Sequence, residues 1–506
     1  MGLKMYVIGI DIGTTNVKVC LFQLPNFELV EMYRFFTPTK WNEKESEFEM
    51  DKIWEGVKEG LHLLSKKVEN PEEIKTISIA SAAQTIVLLD EQDKILEPII
   101  TWYDPRSKSE ARLVNDIVGR EALYSITGIV SHSNHSLTKL LWIREHFPNQ
   151  YAKLKKWTCL SGFVAFKLSG IYATDVSLAS RTLLMDMSTR KWSKKLIEEF
   201  DLEIQTFPTV VESGTAHSLL KDTIAREIGL SPNTTISIAG HDHMAGSICT
   251  NLDVDKELLN STGTTEGLLL LKKEPYLNSD FQEYAISNGL YVKDNLFSLY
   301  GSMPTAGYSL NWFTKNFLSS FDELKQLSDA LYENYQKNSK ELIENLLVFI
   351  PHLRGSGPPY RDSHSKGLLY GLQDHTEKKD ILFSVFAGLC FELRTLKDAY
   401  INLTGQAIES MKVIGPATSN SLWLQLKADI LNCEVLSFRT VEAVSRGGAI
   451  LAALKQGFIE QIPVNLFEKY LPSQENFNLY DEYFNRMYTP LSKIKREFDL
   501  YKSMEI

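Results

Sequence analysis

Tyr6-Val7-Ile8-Gly9-Ile10-Asp11-Ile12-Gly13-Thr14-Thr15 is a β-branched run that stops at a carboxylate and a glycine-threonine turn. Half a chain later, after strand-like residues 258–261, Ser261-Thr262-Gly263-Thr264-Thr265 repeats the turn. Glycine allows a sharp bend and close main-chain approach. The N–H groups and hydroxyls of Thr14 and Thr15 then form a nest for phosphate oxygens, and Gly263, Thr264 and Thr265 offer the same donors from the other half. Either loop alone reads equally well as an ordinary turn. Their recurrence favours a nucleotide triphosphate clamped at a cleft between two related α/β halves.

The residues nearest the loops fit that chemistry. Asp11, at a strand end, is placed to hold Mg²⁺ directly or through its waters. Lys18 brings a point charge close to the phosphates. Between the loops, Ala239-Gly240-His241-Asp242-His243 follows an apolar strand, so Asp242 emerges where α/β folds place ligands. A carboxylate there can accept the proton of an alcohol attacking a γ-phosphate. His243 is read as a hydrogen-bonding neighbour of the acceptor and His241 as structural. A metal-binding His-x-His pair is the weaker alternative, for want of a third ligand nearby.

Working outward, the pattern predicts strands at 7–11, 17–23 and 29–36, a helix over 50–68, and strands at 76–80 and up to Asp90. Residues 107–168 read as mostly helical, and a strand at 235–239 leads to the acidic loop. After about residue 255 the plan restarts with strands at 258–261 and 268–271 and a pair around 289–300. Helices follow at 306–317, 321–335 and 381–403. The aromatic stripe of residues 479–501 reads as a docking helix.

A chain of 506 residues exceeds one compact core. Its 43% hydrophobic and 23% charged content is that of a globular protein. The net charge of -10 argues against nucleic-acid binding, and no apolar run approaches the roughly 18–20 residues that span a bilayer. Five scattered cysteines without a C-x-x-C spacing point to a reducing, cytoplasmic setting without structural zinc. Oligomeric state stays open, a homodimer among the options.

Taken in order, these motifs resemble one family over residues 6–454: the FGGY carbohydrate kinases, relatives of actin and the heat-shock chaperone ATPases. The two Gly-Thr loops look like the family's phosphate loops, and Gly240-His241-Asp242 like its base segment. Residues 136–146, with Lys139, Trp142, Ile143 and Glu145, are similar to its first signature. Gly367 to Leu372 with Asp380-Ile381 is similar to the start of its second. Residues 415–435 resemble the adenine-side glycine motif and helix, and Glu442-Ala443 through Gly447-Gly448-Ala449 the closing helix.

The resemblance implies two actin-like (ribonuclease H-like) α/β domains with a deep interdomain cleft, residues 1–252 chiefly for a sugar and 253–506 chiefly for ATP. It implies Asp242 as general base and Asp11 as the magnesium-positioning group. Around ATP it implies Gly13, Thr14, Thr15, Lys18, Gly263, Thr264, Thr265, Ala306, Gly307, Gly415, Thr418 and Ser419. Around the sugar the expected contacts are Gln84, Thr85, Asn134, Asp242 and His243.

The chain departs from the family pattern in places. Pro416 stands in a glycine motif and cannot donate an N–H, and Ala387 replaces an acid of the second signature. Asn134 lies where glycerol kinases place a sugar-contacting Tyr, which argues against glycerol. Gln84 stands at the His position that contacts xylulose in xylulokinases; its amide still donates and accepts. Trp102-Tyr103-Asp104-Pro105-Arg106 resembles a segment of the gluconate and xylulose branches, where Asp104 and Arg106 pair structurally or reach the substrate. The leading reading is ATP-dependent phosphorylation of a small sugar, a xylulose-like ketose first. The alternatives are a sugar acid such as gluconate, fuculose or another polyol, or a nucleotide-gated sugar sensor without turnover.

Overall fold

The opening run forms the fully buried strand Tyr6–Ile12, and the chain turns at Gly13 into Asn16–Gln23, which pairs back on it with Val17 opposite Ile12. Glu28–Phe36 completes the antiparallel meander. On the other flank of the first strand, Ile74–Ser81 and then Thr235–His241 lie parallel. Both are buried almost throughout, as parallel strands covered on two faces are. The computed structural model describes residues 4–42, 45–463 and 466–503.

The second half repeats this plan. Glu257–Thr262, Glu266–Lys272 and Phe297–Met303 form an antiparallel meander, and Ser410–Ile414 and Glu434–Ser437 add parallel strands beyond its first member. Among the described residues the main sheets have six and seven strands. The restart expected near residue 255 is therefore a repeat of topology, with the Gly-Thr turn at the same corner of each sheet.

Helices cover these sheets where the apolar spacing predicts them. Met50–Ser65 buries Ile53, Trp54, Val57, Leu61 and Leu64, and ends three residues short of the expected limit. Lys378–Thr404 begins with a capping box between Glu377 and Asp380, a reciprocal pair that satisfies otherwise unpaired amides of a helix start. Residues 107–168 differ from a mostly helical reading. The strand Lys156–Cys159 interrupts them and pairs with Ile86–Leu89, because Trp157, Thr158 and Cys159 form a short fully buried run that a sheet edge can take up. The C-terminal aromatics do dock: Tyr480, Phe484 and Tyr488 gather around Phe391, at ring distances of 6.1, 5.6 and 4.8 Å.

The two halves meet through helices that touch backbone to backbone. A Cβ on Gly447 of the helix Ala443–Lys455 would lie 2.0 Å from the Ala245 carbonyl oxygen, and one on Gly9 would lie 2.1 Å from that of Ser445. A helix from the second half thus rests on the first sheet. One hydrophobic cluster joins Val7, Phe22, Met244, Leu259, Ile414 and Leu451 across the two. No helix among the described residues is long and apolar enough to cross a membrane.

Candidate active site

The parallel strand Thr235–His241 carries its functional group at its C-terminal end. On Thr235–His241 the pairing shifts register between Ile238 and Gly240. Gly240 sits at φ +103, and a Cβ there would lie 2.3 Å from Ser177 Oγ and 2.5 Å from Asp175 Oδ2. Only glycine lets the chain pass, and Asp242 then opens the helix Asp242–Ser247. Its Oδ1 accepts the His243 N–H at 2.7 Å and lies 3.2 Å from His241 Nε2. Burial keeps His241 neutral, its imidazolium value pushed down to about 3. His243 reaches across to the second half, with Nδ1 3.2 Å from Ser261 Oγ and its ring 5.4 Å from that of Tyr300.

The first loop is held from outside. Thr37 Oγ1 donates to the Gly13 carbonyl at 2.7 Å, and Trp102 Nε1 donates to Thr14 Oγ1 at 2.8 Å. Because Thr14 accepts from the indole, its own hydroxyl proton is free to be donated onward. The second loop is braced by a helix start: Gly307 N donates to the Gly263 carbonyl and Tyr308 N to that of Thr264, at 3.1 and 3.2 Å. Ala306, fully buried, is the residue before that helix. Beside it, Gly415 at φ +91 lets the turn Pro416–Ser419 press on the end of strand Glu257–Thr262, where Ala417 N donates to Thr262 Oγ1 at 3.1 Å. The hydroxyls of Thr418 and Ser419 donate within that turn, to Gly415 and Pro416.

A cavity of about 1060 Å³ opens between these elements. Of the residues expected to bind, Thr14, Thr15, Gln84, Asn134, Asp242, His243, Thr264 and Thr265 line it. Gly13, Gly263, Ala306, Gly307, Gly415, Thr418 and Ser419 belong to the turns around the loops and are not in its wall. Thr85 is fully buried outside the wall. Gln84 adopts φ +71, and its carbonyl accepts from Lys139 Nζ at 3.0 Å. Burial lowers that lysine's proton affinity far below the usual ammonium range. Asn134 Oδ1 lies 3.1 Å from His132 Nδ1.

At Lys18 the structure departs from the expectation, and at Asp104 and Arg106 it favours the structural one of the two readings. Lys18 is not in the cavity wall; its ammonium is 2.6 Å from Glu442 and 3.8 Å from Asp11. Asp104 and Arg106 pair with each other, Arg106 Nη2 lying 2.8 Å from Asp104 Oδ2 while its Nη1 reaches Glu47. Asp104 also accepts the Ser46 N–H, so the pair braces the cavity wall.

Asp11 is buried, and its Oδ1 has no hydrogen-bond partner. Burial raises its carboxyl to about 7 against the pull of Lys18, and the carboxylates of Asp242 and Glu442 push the same way. An orphan oxygen in a setting of converging negative charge suits a divalent cation. His241, Asp242 and His243 also bring ligating atoms within 4.8 Å of one another, but His241 Nε2 is engaged with Asp242. Sequence reasoning did not single out Arg181, Arg354 or Arg361, which all line the cavity.

Comparison with known proteins agrees with this architecture. Residues 6–249 match the family model for the N-terminal domain of the FGGY family of carbohydrate kinases, and residues 258–455 match that for its C-terminal domain. The xylulose kinase of Bacillus subtilis (strain 168) is 27% identical over 99% of this chain and 96% of its own. A gluconate kinase from Lactobacillus acidophilus superposes with TM-score 0.87 at 20% identity, covering 98% of each chain. A xylulose kinase from the same organism gives 0.86 at 20% identity, over 97% of this chain and 98% of that one. At such identities the superpositions speak to fold, which is the two-domain actin-like one. The chain belongs to the FGGY family of carbohydrate kinases. It is an enzyme that moves a phosphoryl group from ATP to a sugar hydroxyl.

Proposed function

We propose that the acceptor is a small ketose, xylulose-like in size, and that Asp242 is the general base. The observation that carries the base assignment is that, among the described residues, Asp242 is the sole carboxylate in the wall of a cavity lined by Thr14 and Thr15 on one side and Thr264 and Thr265 on the other. The substrate assignment is supported by the xylulose kinases among its relatives, at 27% identity for that of Bacillus subtilis and 25% for that of Escherichia coli (strain K12).

In this reading the sugar hydroxyl gives its proton to Asp242 as its oxygen bonds to the γ-phosphorus. The bond to the bridging oxygen breaks, and ADP leaves with that electron pair. Placement and charge neutralisation supply most of the catalysis. The loop N–H groups and the Thr14 hydroxyl meet phosphate oxygens. The turns at Ala306-Gly307 and Gly415 to Ser419 border the nucleotide, and Gln84, Asn134 and His243 serve the sugar, with Thr85 buried behind Gln84 rather than in contact. Asp11 would hold Mg²⁺, directly or through water, and the ion when bound would neutralise phosphate charge. The functional division falls near residue 252, with closure of the two halves excluding water. The buried cysteines are in keeping with a cytoplasmic enzyme.

The test is ADP release by the purified chain with MgATP across ketoses, polyols and aldonates. Sugar-dependent release led by a ketopentose or ketohexose supports the proposal. Release that no sugar raises above background overturns it.

A further inference from the structure

The strands Val348–Ile350 and Leu368–Tyr370 pair antiparallel, and the loop between them, residues 351–367, reaches the cavity. It contributes Arg354, Ser356, Gly357, Pro358 and Arg361 to the wall. Arg354 lies 3.6 Å over the ring of Tyr308, whose N–H is bonded to the Thr264 carbonyl, so the loop borders the phosphate side. Ser356 Oγ donates to the Tyr360 carbonyl at 2.6 Å and accepts from Asp362 N at 3.0 Å. Loops of this length with little secondary structure of their own are usually either functional or disordered.

Both feet of this loop are pinned by the helix Thr489–Ser503. Lys495 Nζ lies 2.7 Å from Ser365 Oγ, 2.6 Å from Asp499 Oδ2 and 3.3 Å from His352 Nδ1. Its three ammonium protons thus meet three acceptors. Ser365 Oγ also lies 2.9 Å from both Asp499 Oδ2 and His352 Nδ1. On the far side of the ring, His352 Nε2 is 3.0 Å from Glu392 Oε2, and Tyr488 donates to Oε1 of that carboxylate at 2.8 Å. His352, Ser365 and Lys495 are all buried. The next residue of the helix, Arg496, stacks 3.6 Å over the ring of Tyr360 in the body of the loop.

Apolar contact already docks the segment before this helix, through Tyr480, Phe484 and Tyr488 around Phe391. Drawing an ammonium and carboxylates out of water adds a desolvation cost that aromatic packing avoids. What the polar groups add is direction, because each bond tolerates a narrow range of geometry. Their bonds converge on His352 and Ser365, where the loop leaves and rejoins its strands.

We propose that Lys495 and Arg496 are positioning residues for phosphoryl transfer: the helix Thr489–Ser503 holds the loop 351–367 in one setting and so places the side chains that this loop brings to the cavity. The proposal rests on the assignment of that cavity as the active site. The Gly-Thr loops grip the nucleotide independently of this helix, so the effect belongs to kcat rather than to KM for ATP.

The experiment compares Lys495→Met, Lys495→Arg, Arg496→Gln and the parent chain, with Lys493→Ala, exposed on the same helix, as control. Lys495→Met should lower kcat about tenfold or more, as misplacement near reacting groups does, with KM for ATP unchanged. Lys495→Arg, which keeps the charge and the donors, should recover part of that loss. Arg496→Gln should lower kcat about two- to fivefold, the worth of an exposed cation–π contact, and Lys493→Ala should match the parent. Amide hydrogen exchange, read by mass spectrometry, should quicken in residues 351–367 in the Met and Gln variants and stay as in the parent elsewhere in the second half. Should Lys495→Met not fold, Arg496→Gln decides alone by both readouts. Parent-like kcat and parent-like loop exchange in the folded variants overturn the proposal, as does exchange that quickens evenly across the second half. A chain that turns over no sugar sinks the acceptor reading instead, and the exchange rates still decide whether the helix holds the loop.

Discussion

Lys18 Nζ stands 2.6 Å from Glu442 Oε2, so the second strand of the first sheet is tied to the residue that leads into the interlobe helix. Both side chains are mostly buried, at 24% and 17% exposure, which shields the pair from salt. Asp11 lies 3.8 Å away on the same ammonium. Lys18 therefore balances carboxylates at the junction of the halves. Glu442→Gln should lower unfolding free energy by about 1–2 kcal/mol, and Lys18→Met should add little more in the double variant. The check is a double-mutant cycle by urea denaturation. A Lys18→Met protein with unchanged stability and a greatly raised KM for ATP would put the lysine on the phosphates instead.

Asp242→Asn keeps size and the oxygen that accepts from His243 but cannot take a proton. We expect kcat to fall by about a thousandfold, within the span of general base catalysis. ATP affinity, read by calorimetry without sugar, should stay nearly as it was. Undiminished turnover would remove Asp242 from the base role.

Gly415 combines two constraints that can be separated. Its φ is +91, and a Cβ would lie 2.1 Å from the Thr262 carbonyl oxygen. Gly405 has φ +68 with nothing within 4 Å of its built Cβ. Gly405→Ala should cost about 1 kcal/mol, the left-handed strain alone. Gly415→Ala should cost about 3 kcal/mol, because the turn must also move off the strand end. Weaker ATP binding should accompany only the second change. Equal losses in both variants would show that the contact with Thr262 has no weight.

The parts of this fold legible in the sequence were those written locally. The meanders, the Gly-Thr turns and the strand that delivers Asp242 follow from apolar runs ending in glycine, and each pattern spans fewer than about ten residues, the length of a strand and its turn. What escaped depends on pairs far apart in the chain. Lys18 meets Glu442 and Trp102 meets Thr14, and no local spacing announces either. The strand Lys156–Cys159 was hidden for a related reason. Four residues carry no usable period, and its partner Ile86–Leu89 lies about 70 residues upstream. For Asp104 and Arg106 the sequence offered both a structural and a substrate role; the ion pair and the bond to Ser46 N decide for the first.

His217 carries the last prediction. Both its ring nitrogens are buried without a partner, and burial lowers its imidazolium value from 6.5 to about 4. His132 is lowered to about 4 as well, by burial and by Arg361. Below pH 6.5 the unfolded chain binds protons that the folded chain refuses until about pH 4. Their stabilising effect is thus complete above 6.5 and is lost as pH falls toward 4, at up to about 1.4 kcal/mol per pH unit for each group. His217→Phe fills a similar volume and gives up no hydrogen bond to a protein group. Denaturant unfolding near pH 7 and near pH 5 should show a smaller acid loss in the variant than in the parent, with the gap closing by about 1–2 kcal/mol. An unchanged gap would mean that His217 titrates alike in both states, through solvent reaching its ring.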